Sequence, residues 1–292
     1  AKDERQSRYF QPYAGKRPET ISEEDWRARS TQAIAAISTV INPALQKHLS
    51  WFEKSYRPAC AKQPGVSAQP GGRAYYDFKI RQHTTTDLNS EQVHQLGLQE
   101  VARILKEMDA VTKKAGFESR DAFVQHLRSD PRYYAKTPEE LMEKVARVTK
   151  TIDGKMPSLF HRLPRLPYCL KPLPAEIAEG TTTAYYSPGS PAVGGAGNYF
   201  VNTSKLDQRP YWEIPALSAH EAVPGHHHQI ALQQELDLSE FRKNGVFFTA
   251  FVEGWGLYAE RLGIEMGLYD TPDKEMGRLS YQMWRAMRLV VD

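Results

Sequence analysis

Pro224 and Gly225 break a segment that holds four of the chain's nine histidines, and this break constrains the fold more than any other feature. Residues 220–228 read His-Glu-Ala-Val-Pro-Gly-His-His-His. In the usual zinc-hydrolase helix, His-Glu-x-x-His, the two imidazoles lie four residues and about 40° apart, so both face one ion. Here the residue four after His220 is Pro224. On an unbroken helix His226 would face about 240° away, and His227 would share the face but sit about 10.5 Å further along the axis. Pro224 clashes with the carbonyl of His220 and cannot donate a hydrogen bond, while Gly225 tolerates unusual backbone angles. The sequence therefore predicts a bulge or break whose widened turn carries His226 to about where the fourth residue normally lies. His226 is the expected second ligand and His227 the alternative. The competing reading is a set of histidines capping a helix end at the surface.

A third ligand comes from residues 246–259, where Phe247, Phe248, Phe251, Trp255 and Leu257 cover most of the helix circumference. That pattern predicts a helix buried on all sides, with Glu253 as its only charge. A buried carboxylate needs a cation or a metal. Glu253 lies 27 residues after His226, enough for a helix to end and return antiparallel. His220, His226 and Glu253 then make a two-histidine, one-glutamate set for one Zn²⁺, and Glu221 is the base. The alternative is an ion pair of Glu253 with Arg285 or Arg288. Glu260, seven residues on, is a candidate acceptor for a ligand histidine, or a surface partner of Arg261.

The rest of the chain predicts a mainly α fold with a small β-sheet. Ser22 caps a helix running through Trp26 and Ile34 towards Trp51. Asn89 with Gln92, and Thr137 with Glu140, form capping boxes. The first opens a helix whose apolar face includes Val101, Ile104 and Met108. Residues 163–174 carry four prolines and read as a link between a helical part, 1–162, and a catalytic part, 163–292, the two forming one continuous unit. Residues 181–186 and 198–202 have strand composition. The second is expected to be an exposed edge that an extended peptide could join, with Asn202 near substrate. Tyr185, Tyr186, Tyr199 and Tyr258 are candidate oxyanion donors.

A net charge of +3, spread along the chain, argues against a nucleic-acid or anionic-membrane partner. No apolar run is long enough to span a bilayer. The charged first residues do not form a signal peptide, although an exported, periplasmic location is compatible with a processed precursor. Cys60 and Cys169 are expected to be two buried free thiols, with a single disulfide as the alternative in an exported protein.

The paired motifs His-Glu-Ala-Val-Pro-Gly-His-His at 220–227 and Glu-Gly-Trp-Gly-Leu-Tyr-Ala-Glu at 253–260 resemble the bacterial domain-of-unknown-function 885 family of zinc-hydrolase-like proteins. Residues 71–76, 83–86, 184–186 and 285–292 also fit its pattern. The resemblance implies a helical, zincin-like architecture related to thermolysin-like metallopeptidases, with His220, His226 and Glu253 on the metal and Glu221 as base. Members are usually longer at both ends and continue past Val-Val-Asp into Thr-Gly-x-His. The chain therefore looks like the middle of a larger protein, whose remaining portions are its expected partners and hold oxyanion-stabilising residues. The expected activity is hydrolysis of a peptide or related amide. The alternatives are an ester or small-amide hydrolase, and a non-catalytic metal-binding scaffold.

Overall fold

The structure is a computed structural model describing residues 3–291. The chain divides into two compact units, Ala1–Pro70 and Gly71–Asp292. In the first, the Ser22 hydroxyl accepts from the backbone N–H of Asp25 and starts the helix Glu23–Ala36. The helical path continues through Asn42–Trp51, with widened π turns at Ile37–Ile41 and Phe52–Tyr56. Each π turn precedes a proline, Pro43 or Pro58, which lacks the N–H a regular helix would use.

In the second unit, Asn89 and Gln92 form the reciprocal capping box that opens Ser90–Lys114. Ile104 and Met108 on this helix pack against Met276, Leu279 and Ala286 of the last helix, Pro272–Val291. At Thr137 half of the predicted box forms. Its hydroxyl accepts from the N–H of Glu140, but the Glu140 carboxylate accepts from the N–H of Lys136 instead.

A three-stranded sheet follows: β1 (Tyr168–Pro172), β2 (Ala184–Ser187) and β3 (Gly197–Val201) in the order β1-β3-β2. β1 runs parallel to β3 and β2 antiparallel to it. One expectation is corrected here. β3 is the central strand, not an exposed edge, because the proline-rich segment supplies β1 on its other side. Its prolines are tolerated because β1 is itself an edge strand. The proline-rich segment lies within the second unit. Leu141 and Val145 of the helix Pro138–Lys155 share a core with Tyr199, Val201, Ile214 and Leu217. The division falls at Pro70–Gly71.

The helix buried on all sides is Ile214–Glu221, which carries His220 and Glu221. Ala216 and Ala219, both fully buried, let it lie close against Ile152, Met156 and Met266. The helix of Glu253, Thr249–Leu262, keeps only one face covered, and Phe247, Phe248 and Phe251 are exposed. Neither cysteine is the buried thiol expected. Cys60 is exposed, and Cys169 is half-buried with its thiol donating to Asn198 Oδ1 at 3.1 Å. Both are free.

Candidate metal centre

The helix break predicted from Pro224 is present. Ile214–Glu221 ends, and a second helix, His226–Glu235, begins after a turn containing a cis Val223–Pro224 peptide. The His227 N–H bonds the carbonyl of Ala222, five residues back, at 3.0 Å, so the turn is wider than one of an α-helix. Gly225 is required by close approach. A Cβ there would fall onto the carbonyl oxygens of Ala219 and His220. The turn is latched to the neighbouring helix by Trp255 Nε1, which donates to the Pro224 carbonyl at 2.8 Å.

This geometry brings the His220 and His226 rings to 4.6 Å between centroids, nearly perpendicular. Glu253 Oε2 lies 3.5 Å from His220 Nε2 and 3.8 Å from His226 Nε2. Ligand atoms about 2.0–2.1 Å from a tetrahedral ion are about 3.4 Å apart, so the three side chains suit a zinc ion with a position left open. Both histidines are buried, whereas Glu253 is exposed on the cleft side. The predicted isolation of Glu253 in the core is therefore incorrect, although its place in the cluster is as expected. Its hydrogen bond with His220 holds its carboxyl below the ordinary range.

On the helix of Glu253, the buried carboxylate is Glu260. Fully enclosed, its Oε1 lies 2.7 Å from His220 Nδ1 and 2.8 Å from Arg285 Nη2. A carboxylate only accepts, so Nδ1 carries the proton and Nε2 is left facing Glu253. Arg285 therefore pairs with Glu260 and not with Glu253. Burial alone would lower the His220 pKa, but hydrogen bonds to Glu253 and Glu260 outweigh it and hold it up at about 9. A cation bound at Nε2 displaces that proton.

His227 turns away. Its Nδ1 meets the Tyr186 hydroxyl at 2.9 Å, and burial pushes it down to about 4. His228 packs against Phe160, the rings tilted and 4.4 Å apart between centroids, and borders a separate apolar groove. Of the two alternatives, His226 is the one brought to His220 and Glu253.

Glu221 lies in the same cleft, its carboxylate accepting from the backbone of Tyr186 on β2. Burial pushes it up to about 7. Among the tyrosines, Tyr185 and Tyr186 line the cleft. Tyr199 is fully buried with its hydroxyl 3.4 Å from Ser218. Tyr258 is exposed, packs on Trp255 and lies outside the cleft lining. Asn202 is not at the centre either. It is fully buried, its amide donates to the carbonyls of Ala178, Thr181 and Thr182, and its oxygen accepts from Ser204. Side chains missed in the sequence are Arg209, Tyr281 and Trp284, which line the cleft beside Arg285. The 281, 284, 285 and 288 positions share a helical face, but nothing local marks that face as one side of a cleft.

The match to one family model, "Bacterial protein of unknown function (DUF885)", extends over residues 1–292. The chain belongs to DUF885. No curated protein matches it. The crystal structure of "the putative lipoprotein from Colwellia psychrerythraea" is similar at 33% identity and a TM-score of 0.85, over 94% of this chain and 48% of that one. A second structure, "a putative lipoprotein of unknown function from Shewanella oneidensis", shares the fold at 19% identity and a TM-score of 0.60, over 96% of this chain and 52% of that one. The DUF885 chain spans about half the length of these solved structures. Among the described residues, no helix is long and apolar enough to cross a membrane.

Proposed function

We propose that this DUF885 protein is a zinc-dependent hydrolase of peptide or related amide bonds, with a zincin-like division of labour on its helices. The observation that supports this best is the convergence of His220 Nε2, His226 Nε2 and one Glu253 oxygen within 4.8 Å of one another, beside Glu221 in one cleft. These residues would hold the ion, which when bound supplies Lewis acidity towards a carbonyl oxygen and lowers the pKa of water. Glu221 takes the proton of the attacking water and returns it to the leaving amine. Burial raises it to about 7, so its ionised form is a stronger base than an ordinary carboxylate and, once protonated, can still release the proton. Glu260, anchored by Arg285, keeps the His220 tautomer and ring plane in place. β2 holds Glu221 from the backbone of Tyr186 and presents its outer edge to the cleft, where an extended substrate could lie. The lipoprotein descriptions of the two solved relatives favour an exported location.

The test combines metal content with turnover of a mixed peptide library. Zinc is expected near one equivalent per chain in the wild type and in His227→Ala, and lost in His226→Ala and Glu253→Ala. Turnover is expected to vanish in Glu221→Gln, which keeps its zinc. Full turnover by a metal-free Glu253→Ala protein would sink the proposal. Cleavage of esters with no cleavage of peptides would move it to the ester-hydrolase reading.

A further inference from the structure

The cleft has two ends. Its volume is about 890 Å³, within the range of small-molecule and short-peptide sites. His220, His226, Glu253 and Glu221 form one end, and Lys205 and Arg209 lie at the other. Two independent rulers separate the ends. The floor helix runs from Glu213, which borders the Arg209 end, to His220, seven residues on, about 10 Å along the axis. The β2 wall runs from Thr183, which holds Arg209, to Tyr186, which holds Glu221, again about 10 Å.

The far end is built rather than incidental. Arg209 Nη1 donates to Thr183 Oγ1 at 3.1 Å, which fixes the guanidinium against the start of β2. Its Nε is buried and has no acceptor. Lys205 sits in the left-handed region at φ 50°, a conformation disfavoured for a lysine. The loop carrying it is clasped by Asn202, whose oxygen accepts both the N–H and the hydroxyl of Ser204. Arg103, Arg120, Arg132, Arg162, Arg261, Arg278 and Arg285 all have carboxylate partners. Arg209 and Lys205 form no ion pair with any described residue. Glu179 and Glu213 border the same end without reaching ion-pair distance of them. Burial pushes Glu213 up to about 7, so below neutral pH it cancels little of the Arg209 charge.

We infer that Arg209, with Lys205 beside it, binds a carboxylate of the substrate about 10 Å from the reacting carbonyl. This deepens the hydrolase proposal and rests on it for the position of that carbonyl. In an extended peptide the distance corresponds to about three residues. The carboxylate is either a chain terminus or an acidic side chain, and a guanidinium recognises both through paired N–H donors.

The probes are three dye-labelled, N-acetylated pentapeptides: pentaalanine with a free carboxylate, its C-terminal amide, and an amide carrying one central glutamate. Binding is measured by fluorescence anisotropy to zinc-supplemented Glu221→Gln protein, which would not cleave them. At least one carboxylate probe is expected to bind about tenfold tighter than the neutral amide. Adding Arg209→Met should abolish that preference and leave the amide's affinity unchanged, while Arg209→Lys should keep part of it. The free-carboxylate and glutamate probes distinguish a terminal acid from a side chain. Equal binding of all three probes, no measurable binding of any, or a preference that survives Arg209→Met would overturn the inference. Turnover of the same probes by the wild type separates the two proposals. Discrimination in binding without cleavage leaves the carboxylate subsite and removes the hydrolase. Equal cleavage of acid and amide, unaffected by Arg209→Met, does the reverse.

Discussion

Gly256 shows how tightly the His220 ring is held. A Cβ at this position would stand 2.6 Å from His220 Cε1 and 2.8 Å from Nε2, closer than van der Waals contact allows. The opposite side of the ring is fixed by Glu260, so the imidazole cannot rotate away without losing its hydrogen bond to that buried carboxylate. Gly256→Ala should therefore displace the ring and weaken zinc binding by roughly tenfold or more, with helix content preserved. Competition with a chromogenic chelator, alongside far-UV circular dichroism, measures both. Unchanged zinc affinity would show that the ring has room the structure denies it. The same residue scale explains why Glu260 is a more demanding group than Glu253. Fully enclosed, it needs both His220 and Arg285, whereas the half-exposed Glu253 keeps its solvent.

At the scale of elements, the helix pair Ser90–Lys114 and Pro272–Val291 forms the frame that positions the cleft-lining side chains of the last helix. They approach closely at Gly97, where a Cβ would come 2.8 Å from Leu289 Cβ and 3.2 Å from its carbonyl carbon. Gly97→Val should force the helices apart. Overpacking of this kind costs about 1–3 kcal/mol, against a helix-propensity gain of only a few tenths. Urea melts should show the lower midpoint, and an unchanged midpoint would mean that the crossing is slack. The helix break acts at the same scale. Pro224 and Gly225 end one helix and start another, and Trp255 ties the turn to the helix of Glu253. The two histidines and the glutamate thus come together through three elements tied by the Trp255–Pro224, His220–Glu260 and Gln229–Phe251 hydrogen bonds.

For the molecule as a whole, Glu213 couples stability to pH. It is raised from its ordinary 4.5 up to about 7, chiefly by burial, with Arg209 and Arg128 opposing the shift and Tyr281 and Tyr134 nearby. In this case the folded pKa lies above the unfolded one. Between those values the native state binds the extra proton, so stability falls as pH rises through the window and the loss is complete above about 7. Glu213→Gln removes that penalty. The variant should match the wild type near pH 4.5 and exceed it by roughly 1–3 kcal/mol near pH 8, allowing for partial solvent contact. Denaturant melts at the two pH values check this, and a gain that is equal at both would rule out the titration.

The sequence by itself determined the local chemistry of this DUF885 chain. Caps at Ser22 and Asn89, strands over the 184–186 and 198–201 parts of the two expected runs, and the break at Pro224 follow from short-range rules. His220, His226 and Glu253 were also grouped from the sequence, and the fold brings their side chains within 4.8 Å, but the burial argument for Glu253 was wrong. Hydrophobic residues around 246–259 imply burial only if other elements cover them, and the structure leaves Phe247, Phe248 and Phe251 in solvent. Only the tertiary structure decided which strand was central, since β1 joins β3 across 29 residues of sequence. It also decided that Glu260 rather than Glu253 meets Arg285, and that Arg209 shares a cleft with Glu221. Those outcomes depend on which faces meet after long loops close. A residue's own neighbours in sequence carry hydrogen-bonding and steric preferences, but they carry no record of what will pack against them.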